Sequence, residues 1–146
     1  MISRPHRFLL PILAIFFWIN TATAQDPERI KIITISADST YTKVVQALQE
    51  NGYYIAQLDR SSGFIQTSVP LKSKSIFGRD GDKRILNFLV VPLPDQKSKI
   101  ILNIFLIERF KTGSSEAGSY YYEDRGLLQD DKVYQQTWDK ILPLIQ

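Results

Sequence analysis

The sequence predicts an α+β domain, a two-layer arrangement in which two helices cover one face of an antiparallel sheet in the order β-α-β-β-β-β-α. Three observations predict it. Residues 84–92 and 99–109 are apolar runs crowded with Ile, Val, Leu and Phe, joined by a short polar link, as an antiparallel hairpin requires. Tyr41, Val44, Val45 and Leu48 fall at i, i+3, i+4 and i+7, which is one helical face. Tyr134, Trp138, Ile141, Leu142 and Ile145 gather on a second such face near the end of the chain.

In chain order, residues 1–24 stand apart from that domain. Arg4 and Arg7 precede an apolar run over residues 8–19, too short for the ~20 residues a helix needs to cross a bilayer. Ala22-Thr23-Ala24 then fits the small-x-small rule for cleavage, so residues 1–24 read as a secretory signal peptide cut between Ala24 and Gln25. Residues 25–146 remain as a single domain without a transmembrane helix. The full chain has 18 Lys+Arg against 15 Asp+Glu; without Arg4 and Arg7 the mature balance is +1. So small a charge makes no field to attract nucleic acid or an anionic membrane, and neither is expected as a partner. There is no cysteine, hence no disulfide and no site for a lipid anchor, which favours a periplasmic location over a harsher extracellular one.

Residues 30–36 form a first strand with isoleucine on both faces. The helix after it can be capped by Ser39 or Thr40, and Asn51-Gly52 supplies the left-handed residue that ends it. Residues 53–59 and 64–69 make a hairpin around a turn at 60–63, where Gly63 takes positive φ, and Pro70 closes it. A polar connection over 71–83 leads to the central hairpin. In its second strand, Ile100, Leu102, Ile104 and Leu106 face the helices, while Ile101, Phe105 and Ile107, interrupted by Asn103, face the other way. That apolar second face needs a cover: the chain's own loops and termini, a partner, or a ligand. Small residues over 111–119 precede Tyr120, Tyr121 and Tyr122, which form either an adhesive surface with Arg125 or a sixth strand with one ring inward and two outward. Asp130 or Asp131 caps the last helix, and Pro143 marks its stop.

The only histidine, His6, lies in the leader, so the mature chain has neither imidazole nor thiol. Ser-His-Asp and Cys-His devices are thereby absent, and zinc loses its usual ligands; no cofactor or metal is expected. Asp80-Gly81-Asp82 reads as turn chemistry, because a calcium loop needs an acid or amide where Arg84 stands. Lys72, Lys74, Arg79, Lys83 and Arg84 against Asp80 and Asp82 give a local +3, either a solvated loop or an anion site built on Lys72, Lys74, Arg79 and Arg84. Residues 116–132 carry a net −3 and can dock on that loop.

The run from Val44 to Gly52, followed by Tyr53-Tyr54-Ile55 to Asp59 and by Gly63-Phe64-Ile65-Gln66-Thr67, resembles the helix-hairpin unit of BamC-like envelope lipoproteins with helix-grip domains. The resemblance implies a helix-grip-like fold and a non-enzymatic periplasmic module that works through protein contacts. The expected function is therefore an exported, non-enzymatic interaction or scaffold module of the bacterial cell envelope. It would hold an envelope protein through Phe105, Ile107, Tyr120, Tyr121, Tyr122 and Arg125. The alternative is a periplasmic carrier of a small apolar or anionic ligand in a cleft between helix and sheet.

Overall fold

The computed structural model describes residues 27–71, 81–112 and 119–146. A 3-10 turn at Pro27–Arg29 leads into β1 (Ile30–Ile33), α1 (Ala37–Glu50), β2 (Tyr54–Asp59), β3 (Phe64–Pro70), β4 (Lys83–Leu93), β5 (Lys97–Lys111), β6 (Tyr120–Leu127) and α2 (Asp131–Ile145). All pairings are antiparallel, in the order β1-β5-β4-β3-β2, with β6 also on β5. The α+β architecture stands as the residues predict, and the tyrosine segment supplies the sixth strand.

The central hairpin is held in register by its turn. Asp95 (φ 58°) and Gln96 (φ 56°) are both left-handed, and Lys97 N donates to Pro94 O at 3.2 Å. Two positive φ values at the centre of the Pro94–Lys97 turn, in a three-residue loop, match the right-handed twist of the flanking strands. Period-two alternation then sorts the side chains. Leu86, Phe88 and Val90 join Ile65, Ile100, Leu102 and Ile104 on one face, buried with Tyr41, Val44 and Leu48 of α1 and Val133, Trp138, Ile141 and Ile145 of α2. Both helices therefore sit on the same side of the sheet.

Three local expectations are corrected. Ser36, not Ser39 or Thr40, caps α1: it is extended (φ −59°, ψ 154°), and its Oγ accepts from Ser39 N at 3.4 Å. A cap must lie outside the helical dihedrals, and the other two residues are already inside the first turn. Thr40 is instead buried and shares a 2.7 Å hydrogen bond with Ser98 of β5. Because Ser36 serves the helix, β1 ends at Ile33 instead of continuing to Ser36. Finally, α2 runs past Pro143 to Ile145, since a proline one turn from the end removes only a single backbone bond. Of its two candidate caps, Asp130 acts, accepting from Lys132 N at 2.9 Å.

The β2–β3 turn is organised by Asp59, whose carboxylate accepts from Ser61 N (3.0 Å), Ser61 Oγ (2.6 Å) and Ser62 Oγ (2.8 Å). These bonds favour the charged form and hold its carboxyl down at about 2, against an ordinary 3.8. A depressed folded-state pKa means that the turn's contribution is complete above pH 4 and lost only as pH falls towards 2. Titration of the Asp59 carboxyl carbon by NMR is expected to give a midpoint near 2; a midpoint near 4 refutes the geometry.

β5 is long enough to hold two partners on one edge: β1 along residues 98–101 and β6 along 105–111. The seam between them is closed by Tyr134, whose hydroxyl accepts from Ile104 N (3.3 Å) and donates to Leu128 O (3.0 Å), while Leu128 N donates to Ile104 O (2.7 Å). Replacing Tyr134 by Phe leaves a buried backbone donor without that partner and is expected to destabilise by about 1–3 kcal/mol. Urea unfolding checks this; an unchanged midpoint means the hydroxyl closes nothing.

Candidate functional site

The second face of the sheet is built in rows across the strands. Phe64, Leu89, Ile101 and Ile30 stand in line, as do Ser68, Ile85, Phe105 and Leu127. Between these two rows runs a line of amides, Gln57, Gln66, Asn87 and Asn103. Gln66 Nε2 donates to Asn87 Oδ1 at 3.0 Å, and Arg29 reaches around the sheet edge to donate to Asn103 Oδ1. Among the described residues, neither helix packs on this face, and its apolar side chains in β4 and β5 are half-buried. Ile32 and Tyr54 at its margins are exposed.

Beyond Lys83, which pairs with Ile107, β5 and β6 continue as a two-stranded arm. A β-bulge around Gly126 (φ 79°) shifts the register there, so that Phe105 pairs with Leu127 but Ile107 with Asp124. Alternation from Phe105 and Ile107 through Arg109 puts Tyr122 and Tyr120 on their face of the sheet. The Arg109 guanidinium lies 4.6 Å from the Tyr120 ring centre, and Lys83 Nζ lies 4.9 Å from that of Tyr122. Tyr121 falls on the opposite side, stacked on Phe110 at 5.4 Å. Arg125 is there as well, bridged to Glu108 (3.2 Å) and Glu123 (3.1 Å). Of the six residues expected to bind a partner, Phe105, Ile107, Tyr120 and Tyr122 therefore come together, while Tyr121 and Arg125 look the other way.

Asp82, expected in a solvent-facing turn, is buried; its Oδ1 accepts from Arg109 N at 2.8 Å and so fixes the base of the arm. Asp80, Lys72, Lys74 and Arg79 lie outside the described residues, as does the leader.

Arg84, the remaining residue of the expected anion set, belongs to the helix side, where it pairs with Val69 and Leu106. It lines a cavity of about 80 Å³ with Tyr53, Val69, Leu86, Gln136 and Lys140. Tyr53, Val69 and Lys140 also line a neighbouring cavity of about 320 Å³, together with Tyr54, Ser68 and Pro70. Burial pulls the Arg84 guanidinium below its ordinary pKa, with Asp130 and Tyr53 opposing, and pushes the Tyr53 phenol up, with Arg84 opposing. A third cavity, about 240 Å³, lies at the start of α1, where Arg60 is held by Asp38 at 2.6 Å and sits 5.4 Å from the Tyr41 ring.

Beyond Asn103 and the idea of a cleft between helix and sheet, the full amide row and the residues that line the two-part cleft are features that residue patterns missed. Asn87 and Asn103 do carry a signal, being equidistant from Asp95 at the turn, but it emerges only once the turn is centred there. The cleft has no comparable signal, because Tyr53, Arg84 and Lys140 come from three separate elements. Among the described residues, no helix is long and apolar enough to cross a membrane. Compared with family models and with curated proteins, the chain matches none.

Proposed function

We propose that this protein is an exported, non-enzymatic contact module of the bacterial cell envelope that works in the periplasm and holds a protein partner. The observation that carries this reading is the second sheet face, two largely apolar rows on either side of an amide row, continued through Ile107 to the Tyr120 and Tyr122 side of the arm. Tyrosine gives large contact area for little entropy lost, and a central amide row fixes register by penalising misplaced apolar atoms. The leader pattern of residues 1–24 supports export. The mature chain's lack of His and Cys supports contact over covalent chemistry. The resemblance of the α1-β2-β3 unit to BamC-like lipoproteins agrees with both.

The test places a photo-crosslinking amino acid at Tyr122, on the arm, or at Leu144, which is exposed on α2. In cells, a discrete protein adduct is expected from position 122 and not from position 144. Adding Phe105→Asp is expected to reduce that adduct at least ten-fold while the circular dichroism spectrum is retained. Equal adducts from the two positions, or an adduct indifferent to Phe105→Asp, count against the reading.

A further inference from the structure

We propose that the two-part cleft between α2 and the β2–β3–β4 corner, which lies on the helix side and reaches the sheet edge at Tyr54 and Ser68, is a binding site for a small amphiphilic anion, an acidic head on a short apolar body. The two cavities share Tyr53, Val69 and Lys140 and so adjoin, a narrow one of about 80 Å³ beside a wide one of about 320 Å³. Their sum lies within the range of about 300–1,000 Å³ found for small-molecule sites. Charge is distributed unevenly around it. Arg84 lines the narrow end and Lys140 lines both, and among the described residues no carboxylate lines either cavity. Asp130, a carboxylate that acts on Arg84, belongs to the α2 cap outside the lining.

Burial disfavours the charge on Arg84, and an anionic head seated between Arg84 and Lys140 offsets that cost. The remaining wall is mixed. Tyr53 and Gln136 offer a hydroxyl and an amide near the head, and Val69, Leu86, Tyr54 and Pro70 offer apolar surface for the body. A neutral apolar molecule leaves both cations unused, and a bare inorganic anion leaves the wide end unfilled. An amphiphilic anion uses both ends.

The experiment is an NMR titration of the leader-free protein with octanoate, octyl phosphate, acetate and 1-octanol. Octanoate and octyl phosphate are expected to give saturable shifts at the amides of Val69, Arg84, Gln136 and Lys140, the tighter of the two identifying the head chemistry. Acetate and 1-octanol are expected to bind at least ten-fold more weakly. Arg84→Gln is expected to weaken the better ligand about ten-fold, and Lys140→Gln about three-fold. Lys140 occupies an exposed position, so its variant keeps the fold and tests the site even where Arg84→Gln does not. The proposal is overturned if 1-octanol titrates as well as octanoate, if Lys140→Gln changes nothing, or if the shifts map to Phe105 and its neighbours. Because the crosslink is read at Tyr122, which lines neither cavity, failure here leaves the crosslinking result untouched.

Discussion

Replacing Trp138 by Ala is expected to lower the unfolding free energy by about 4 kcal/mol, the largest effect of any single substitution considered. Trp138 is fully buried at the centre of the core and meets Phe88 edge to face at 6.2 Å. Its indole Nε1 donates to Glu28 O at 2.6 Å, which ties the 3-10 turn before β1 down onto α2. Truncation therefore removes aromatic area, leaves a cavity under the sheet and frees the entry to β1. Domains of this kind have only about 5–15 kcal/mol in total, so the variant is expected to unfold at markedly lower urea concentration with an unchanged slope. Trp138→Phe keeps most of the packing but not the indole bond and is expected to lose about 1–2 kcal/mol. Equal midpoints for the Ala and Phe variants would show that the hydrogen bond, not the packed volume, carries the effect.

The second large effect belongs to a glycine. Gly63 and Gly52 have the same φ of 72°, a conformation that costs any other residue about 1–2 kcal/mol. Their surroundings differ. Nothing lies within 4 Å of a Cβ added at Gly52, whereas one added at Gly63 overlaps the Val90 carbonyl oxygen. Gly63 also accepts from Val90 N at 2.9 Å, so the two backbones are locked together at the end of β3 and β4. Gly52→Ala is expected to cost about 1 kcal/mol and Gly63→Ala about 3 kcal/mol or more, because the latter must also move a backbone. Urea midpoints of the two variants measure the difference directly; equal losses would mean that the β3–β4 contact yields freely.

Why some of this is legible in the residues and some is not follows from distance along the chain. The central hairpin declares itself because its β-branched runs and its turn are contiguous, and α1 and α2 because their apolar residues repeat at helical spacing. Gly63 is recognisable as a turn residue, yet nothing local reveals that Val90 presses against it. The same limit governs the tyrosines. Their identity promises a contact surface, but which of them face Phe105 is decided by the register of β6 on β5, and that depends on the bulge at Gly126. Ser36 illustrates a milder case, where competition between strand and helix for one serine moves a boundary by three residues. The charge of Arg84 is legible in its basic stretch, but the cavity wall it shares with Gln136 and Lys140 depends on α2, which arrives some fifty residues later.

The shared flank of β5 has a mechanical consequence. Since β1 and β6 grip separate lengths of that strand, with the Tyr134 hydroxyl bonded at Ile104 between them, either one can let go while the other's ladder stays whole. Tension arriving from the amino-terminal side falls first on the four residue pairs of β1, the Arg29–Asn103 bond and the Trp138 bond. The arm keeps its shape under such a load, as a hinged flap leaves the frame of a door in place.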